Sequence, residues 1–153
     1  MDKHSILDET IDDVDLSTQL LPEGEYNVKL TAVNDRISKR GLSYLELILR
    51  VIDGPIPGEI DINRIAPVRQ NIFLPDPNDD HDRIIRSVRR IKAVAASFET
   101  SIGLTPRELY EDGGTFLKIL AEQGAECTVR LIVEQPDNPE YSERNVVRRW
   151  IAA

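Results

Sequence analysis

Two runs of alternating apolar residues, separated by a polar stretch, constrain this chain more than any other feature. The alternating residues are Tyr26, Val28, Leu30 and Ala32 in the first run and Leu45, Leu47, Leu49 and Val51 in the second. A period of two places each set on one face of a β-strand. The stretch from Asn34 to Gly41 between the runs is polar and carries Lys39 and Arg40. The pattern therefore predicts a long antiparallel hairpin with a basic tip, one buried face and one open face.

The rest of the chain predicts three further strands and one main helix. A third strand is expected over 60–74, broken near Ala66 and Pro67 because proline has no amide hydrogen to give to a ladder. Apolar residues at spacings of four and three predict a helix over 80–101, with aspartates such as Asp80 as its caps. Shorter helices are expected from Thr105 and over 115–123, and strands over 125–134 and 145–151.

Five strands with a helix between the third and the fourth is the arrangement of the OB-fold. The sequence therefore predicts a mainly β fold, a five-stranded OB-fold-like and partly open barrel over residues 22–153. In such barrels the loops between strands 1 and 2 and between strands 4 and 5 flank the nucleic-acid groove.

The acidity of the chain is concentrated before the barrel. The formal net charge is −8, but residues 1–25 contain eight acidic residues and one basic residue, so the remainder is nearly balanced. The net charge consequently says little about the surface of the barrel. Residues 1–21 form an acidic-apolar segment that includes Ile6, Leu7, Ile11 and Leu16. Such a segment either packs along the barrel or serves as a docking peptide for another protein.

Several features bound the class of protein. No apolar run approaches the ~20 residues that a membrane-spanning helix needs, and the acidic start does not resemble a targeting signal. The single cysteine, Cys127, lies in an alternating apolar run and is expected to be a buried core residue. We therefore expect no membrane association and a cytoplasmic protein.

No catalytic motif is evident. The chain has no Walker loop, glycine-rich dinucleotide fingerprint, zinc-protease motif or cysteine cluster, and its histidines, His4 and His81, belong to no triad pattern. The acidic stretch Asp76–Asp82 resembles the start of a calcium loop, but Ser87 stands where that loop requires glutamate, so helix capping is the favoured interpretation. We expect a non-catalytic protein without metal or cofactor. A metal-dependent nuclease is the weakest alternative.

The positive signal is a set of basic and aromatic residues on the predicted sheet surfaces and loops. The candidate nucleic-acid-binding residues are Lys39, Arg40, Tyr44, Arg50, Arg64, Arg69, Phe73, Tyr141, Arg144, Arg148 and Trp150. Cations can follow the phosphates of a single strand while aromatic rings stack on its bases whatever their identity. Each of these residues could instead have a purely structural role, as Trp150 would in the core. The basic face of the main helix, 83–92, could likewise be an ordinary solvent-exposed surface.

Several short stretches resemble phage-encoded single-stranded-DNA-binding proteins of the OB-fold type. They are Leu21-Pro22-Glu23-Gly24-Glu25-Tyr26-Asn27-Val28-Lys29-Leu30, Lys39-Arg40-Gly41-Leu42-Ser43-Tyr44-Leu45-Glu46-Leu47, Val51-Ile52-Asp53-Gly54 and Asn145-Val146-Val147-Arg148-Arg149-Trp150. The resemblance implies sequence-independent binding of single-stranded DNA during phage DNA replication or recombination, in the cytoplasm of the host cell. It supplies no catalytic residues.

The position of the acidic segment departs from this family. Many such proteins carry their acidic tail after the barrel, where it recruits partners and competes for the groove, whereas here the acidic residues precede the barrel. We hypothesise that the segment competes with DNA or contacts replication or recombination proteins. The alternative function is a protein–protein adaptor that uses an OB-like barrel and this docking segment. The sequence leaves open whether the chain forms a homo-oligomer.

Overall fold

The computed structural model describes residues 19–98, 107, 111–112, 114–135, 137 and 143–153. It confirms the predicted mainly β fold, with five antiparallel strands and a helix between the third and the fourth. The elements are β1 (Gly24–Ile37), β2 (Ser43–Asp53), β3 (Val68–Phe73), α1 (His81–Ser97), α2 (Thr115–Glu122), β4 (Glu126–Glu134) and β5 (Arg144–Ile151). The strands lie in the order β3-β2-β1-β4-β5.

The sheet curls into a barrel that is open between its two edge strands, β3 and β5. These edges approach each other, and a side chain joins them: the backbone amide of Val147 donates to Gln70 Oε1 at 3.3 Å. In the part of the chain described, strand pairing runs continuously from β3 to β5 through β2, β1 and β4. The barrel is therefore partly open, as predicted.

The core fills the inside of this barrel, and the alternation seen in the sequence supplies it. Tyr26, Val28 and Leu30 of β1 are fully buried, as are Leu47 and Leu49 of β2. Val68 and Ile72 of β3 and Val129 and Leu131 of β4 continue the same layer, and Ile91, Val94 and Leu117 close it from the two helices. Full burial of one such side chain contributes about 1.5–3 kcal/mol.

β1 is longer than the alternation suggested. Residues 34–37, assigned to a polar loop, continue the strand, so the connecting loop is 38–42. Leu30 pairs with Leu49 and Ala32 with Ile48, which leaves Thr31 without a pairing partner in β2. This β-bulge moves the inward positions from even to odd numbers, so Val33 packs against the core. The strict period-two pattern ends at the bulge, and the prediction that the strand ends there was wrong.

The third strand is shorter than predicted. Residues 60–67 form turns and a short 3-10 helix, Ile62–Arg64, and the ladder to β2 begins only at Val68. Pro67 precedes the first paired residue, in agreement with the expected break. The main helix begins as predicted: Asp80 is its N-cap and accepts a hydrogen bond from the backbone amide of Asp82 at 3.1 Å.

The last residues of the predicted N-terminal segment pack on the barrel. Leu21 is buried. Its backbone amide donates a hydrogen bond to Asn145 Oδ1, and its carbonyl accepts one from Asn145 Nδ2, each at 2.9 Å. Gln19 forms a parallel bridge with Ile65. Residues 19–21 therefore lie across one end of the seam between β3 and β5. The rest of that segment, 1–18, and the start of the helix expected from Thr105 lie outside the described residues.

Cys127 is buried on the inner face of β4, which confirms the prediction that it is a core residue. Burial raises the pKa of its thiol to about 11, against the opposing effect of a hydrogen bond with Ser97. A thiol in this state is a poor nucleophile at neutral pH.

Gly114, which precedes α2, provides a test of the packing between this helix and the sheet. Its φ of +79° lies in the left-handed region, and an added Cβ would overlap the buried side chain of Leu45. We expect Gly114→Ala to destabilise the fold by about 1–2 kcal/mol through its backbone conformation. Displacement of Leu45 should add ~1–3 kcal/mol. Urea unfolding monitored by circular dichroism measures the loss.

The matched control is Gly58→Ala, because an added Cβ at Gly58 meets nothing within 4 Å. This variant should unfold within ~0.5 kcal/mol of the unmodified chain. Equal stability of the two variants would contradict the packing described for α2.

Candidate nucleic-acid interface

An aromatic pair lies on the outer face of the barrel, where β2 begins and β3 ends, close to the basic loop. Tyr44 of β2 pairs in register with Phe73 of β3. Their ring centroids are 5.1 Å apart with an interplanar angle of 41°, a favourable tilted arrangement. Phe73 is 37% exposed, so part of the pair is available to a ligand. Alternation from the buried Leu45 and Ile72 directs both rings outward.

A charged cluster lies beside the aromatic pair on the same face. Glu46, two residues after Tyr44, accepts a hydrogen bond from Asn34 at 3.2 Å and pairs with Arg36 at 3.4 Å and Arg69 at 3.5 Å. The hydrogen bond from Asn34, followed by the charges of the two arginines, lowers the pKa of the Glu46 carboxyl from its ordinary value. The cluster holds two guanidinium groups at Glu46, and Arg36 lies directly opposite Tyr44.

The tip of the first hairpin lies beside the end of β3 and the start of α1. Lys39 and Arg40 are exposed in loop 38–42. The loop, the end of β3 and α1 enclose a cleft of about 220 Å³. The residues that line it are Gly41, Leu42, Ser43, Phe73, Leu74, Asp76, Asp79, Arg83, Arg86, Ser87 and Arg90. The aromatic pair and this cleft share Phe73, so they form one continuous surface.

Two of the predicted site residues lie elsewhere. Arg50 lies opposite Lys29, six residues along β2 from Tyr44 and hence ~20 Å away. Arg64 belongs to the 3-10 helix that precedes β3, at the end of that strand opposite to Phe73. Neither residue is brought together with the aromatic pair.

Arg144 lies at the seam between β3 and β5. It borders a cavity of about 240 Å³ together with Arg69, Glu46 and Glu134. Each arginine there has a carboxylate partner: Arg69 pairs with Glu46, and Arg144 pairs with Glu134 at 3.0 Å. The charge at this seam is therefore balanced, in contrast to the cleft beside α1.

Arg148 and Trp150 face opposite sides of β5. Arg130 pairs with Arg149 and Leu131 with Val147, so Arg148 is the extra residue of a bulge and is exposed. The bulge turns Trp150 toward the core, where its ring lies 6.4 Å from that of Phe98. Strict alternation along the sequence would have kept these two residues on one face. Tyr141 and most of the loop between β4 and β5 lie outside the described residues.

The structure adds residues that sequence reasoning did not include in the site. Arg36 falls in the predicted loop, but β1 stays paired with β2 up to Ile37, and Arg36 lies directly opposite Tyr44. Arg83, Arg86 and Arg90 were recognised as a basic helical face, and the sequence could not place that face beside the hairpin tip. Only the packing of α1 against the end of the barrel does so.

Comparison with protein-family models and with curated proteins finds no match for this chain. Within the residues that the structure describes, no group of three or more His, Cys, Asp or Glu side chains is arranged to hold a metal ion. No helix among those residues has the length and apolar character to cross a membrane. A functional assignment therefore depends on the geometry of the outer face.

The Glu46 cluster leads to a prediction about pH. Because the folded-state pKa of Glu46 lies below its ordinary 4.5, its ionised form stabilises the folded state. This stabilisation is fully present at pH values above the pKa that Glu46 has in the unfolded chain. It disappears as the pH falls through the lower pKa that Glu46 has in the folded chain. We expect Glu46→Gln to lower the free energy of unfolding at pH 7, and the difference from the unmodified chain to shrink below pH 4.5. Urea unfolding between pH 3 and 7 measures this difference.

Glu59→Gln provides the control, because it removes the same charge from an exposed residue of the loop between β2 and β3. Its effect should be small throughout this range. If Glu46→Gln were equally neutral at pH 7, the cluster would contribute nothing to the fold.

Proposed function

We propose that this protein binds single-stranded DNA without catalysis and without sequence preference, in phage DNA replication or recombination. The observation that carries the proposal is the outward-facing Tyr44–Phe73 pair beside a loop that holds Lys39 and Arg40. Aromatic platforms next to cations are the means by which OB-folds hold single strands. The resemblance of the hairpin to phage proteins supports the biological setting.

The magnitudes are sufficient for useful affinity. A stacked base contributes ~1–3 kcal/mol to the binding free energy. Each neutralised phosphate adds a favourable contribution that decreases as the salt concentration rises. Ion pairs at the surface, such as that of the exposed Arg36 with the half-buried Glu46, contribute about 1 kcal/mol. A phosphate can therefore replace such a carboxylate partner at little expense.

The deciding experiment is a titration of the purified chain with fluorescent oligothymidines of increasing length at several salt concentrations. We expect micromolar or tighter binding and little difference between base compositions. The salt slope, which is the decrease in the logarithm of the binding constant per tenfold rise in salt, should be ~0.7 for each neutralised phosphate. An absence of binding to oligothymidine at 50 mM salt would reject the proposal.

The aromatic pair is tested by Tyr44→Leu combined with Phe73→Leu, which keeps apolar bulk but removes both rings. Loss of one stacked base should weaken binding by ~5- to 150-fold at every salt concentration. The salt slope should stay unchanged, because no charge is removed. Ile48→Ala, a truncation on the same outer face of β2, is the control and should bind like the unmodified chain. Melting temperatures of the variants verify their folding.

The acidic segment adds a regulatory element to the proposal. Residues 19–21 are anchored at the seam, so the acidic residues of 1–18 are tethered to the barrel. A short tether holds a peptide near a basic surface at an effective concentration in the millimolar range. In this proposal the acidic residues of 1–18 compete with DNA for the basic surface around Lys39 and Arg40.

Deletion of residues 1–18, which leaves the anchor intact, should tighten DNA binding at low salt. The gain should shrink as salt screens the competition. Affinity and melting temperature are both measured on the truncated chain. Unchanged affinity with a lower melting temperature would show instead that the segment stabilises the fold.

A further inference from the structure

The cleft beside α1 combines one aromatic ring with a row of arginines. Arg83, Arg86 and Arg90 follow one another at spacings of three and four, which places them on one face of the helix. All three line the cleft, and Phe73 forms its wall on the side of the sheet. A cation row that starts at a stacking platform matches the repeating pattern of base and phosphate in a single strand.

The guanidinium groups of this row are only loosely engaged within the protein. Arg83 approaches Asp79 at 3.7 Å and Asp80 at 3.9 Å, distances longer than those of a strong charged hydrogen bond. Arg86 donates through Nε to the backbone carbonyl of Asp82 at 3.4 Å, which leaves its terminal nitrogens available. Arg90 has no ion pair with any side chain in the described part of the protein.

The two aspartates of the cleft are already engaged with the backbone. Asp76 accepts from the amide of Asn78 at 2.9 Å, and Asp79 accepts from the amide of Asp80 at 2.8 Å. Of the residues that line the cleft, three are arginines and two are carboxylates, and the adjoining loop adds Lys39 and Arg40. Asp80, the other partner of Arg83, lies outside the lining and accepts from the amide of Asp82. At the β3–β5 seam, by contrast, each lining arginine forms an ion pair with a glutamate that also lines the seam.

We infer that this cleft is a phosphate subsite, in which Arg86 and Arg90 hold the backbone of the strand whose base stacks on Tyr44 and Phe73. The inference rests on the proposed function and adds to it the path of the strand. The strand leaves the outer face of the sheet at Phe73 and continues along α1 rather than across the β3–β5 seam. Arginine suits this role because its planar fork can bind a phosphate through two hydrogen bonds.

The test compares two double variants of α1 that remove the same charge. Arg86→Gln with Arg90→Gln changes the cleft, whereas Arg89→Gln with Lys92→Gln changes exposed residues of the same helix outside the cleft. Binding to a fluorescent oligothymidine is measured from 50 to 500 mM salt. The salt slope of the cleft variant should fall by ~1.4, as two phosphate contacts are lost. A tenfold rise in salt should thus weaken the unmodified chain ~25-fold more than this variant. The control variant should retain a slope close to that of the unmodified chain.

The outcomes separate this inference from the proposed function. If the unmodified chain binds and the two double variants have equal slopes, the subsite is rejected while DNA binding stands. Tighter binding of the cleft variant at low salt would also reject it, since the cleft would then hold an acidic peptide that competes with DNA. If the unmodified chain does not bind, both proposals fail. Melting temperatures show whether each variant is folded.

Discussion

The bulge in β1 is the constraint on which the rest of the structure depends. Before Thr31 the strand lies between β2 and β4, and its even-numbered residues fill the barrel. After Thr31 its pairing among the described strands is with β2, and α2 covers its inner face, where Val33 reaches the core. The extra residue thus allows one strand to serve both as the middle of the barrel and as half of a hairpin that extends beyond it.

The extension of this hairpin creates the candidate site. Because β1 and β2 remain paired up to Ile37 and Ser43, their loop reaches the end of β3, where the amide of Leu74 donates to the carbonyl of Ser43 at 3.2 Å. The same ladder sets Tyr44 beside Phe73. α1 starts shortly after β3, so its arginines face the hairpin tip across a narrow cleft. The arrangement follows from strand lengths as much as from the side chains themselves.

The seam between β3 and β5 shows how the barrel protects its edges. Exposed strand edges tend to pair with other chains, and proteins cover or interrupt them. Here Gln70 bridges the two edges, while Asn145 holds Leu21 across one end of the gap. The charged groups at this seam are paired with one another. Near the hairpin tip and α1, by contrast, Lys39, Arg40, Arg86 and Arg90 have no carboxylate partner among the described residues.

The sequence by itself determined the elements whose signal is local. Alternation in β1 and β2 identified the buried residues, the aspartates before α1 identified its start, and the order of elements indicated the barrel. The outward direction of Tyr44 also followed, because no bulge interrupts β2 between it and the buried Leu45, Leu47 and Leu49.

Only the tertiary structure decided the features that depend on bulges and on packing between distant segments. An extra residue reverses every later side chain of a strand without a signature in composition, so alternation alone places Trp150 on the face of Arg148. The polar residues 34–37 give no apolar alternation, so the end of β1, with Arg36, is visible only in its pairing with β2. Periodicity identified the arginines of α1 as one face, but it cannot show what that face meets. Their position beside Phe73 is set by the packing of Ile91 and Val94 into the barrel, which fixes the rotation of the helix and leaves the arginine row toward the cleft.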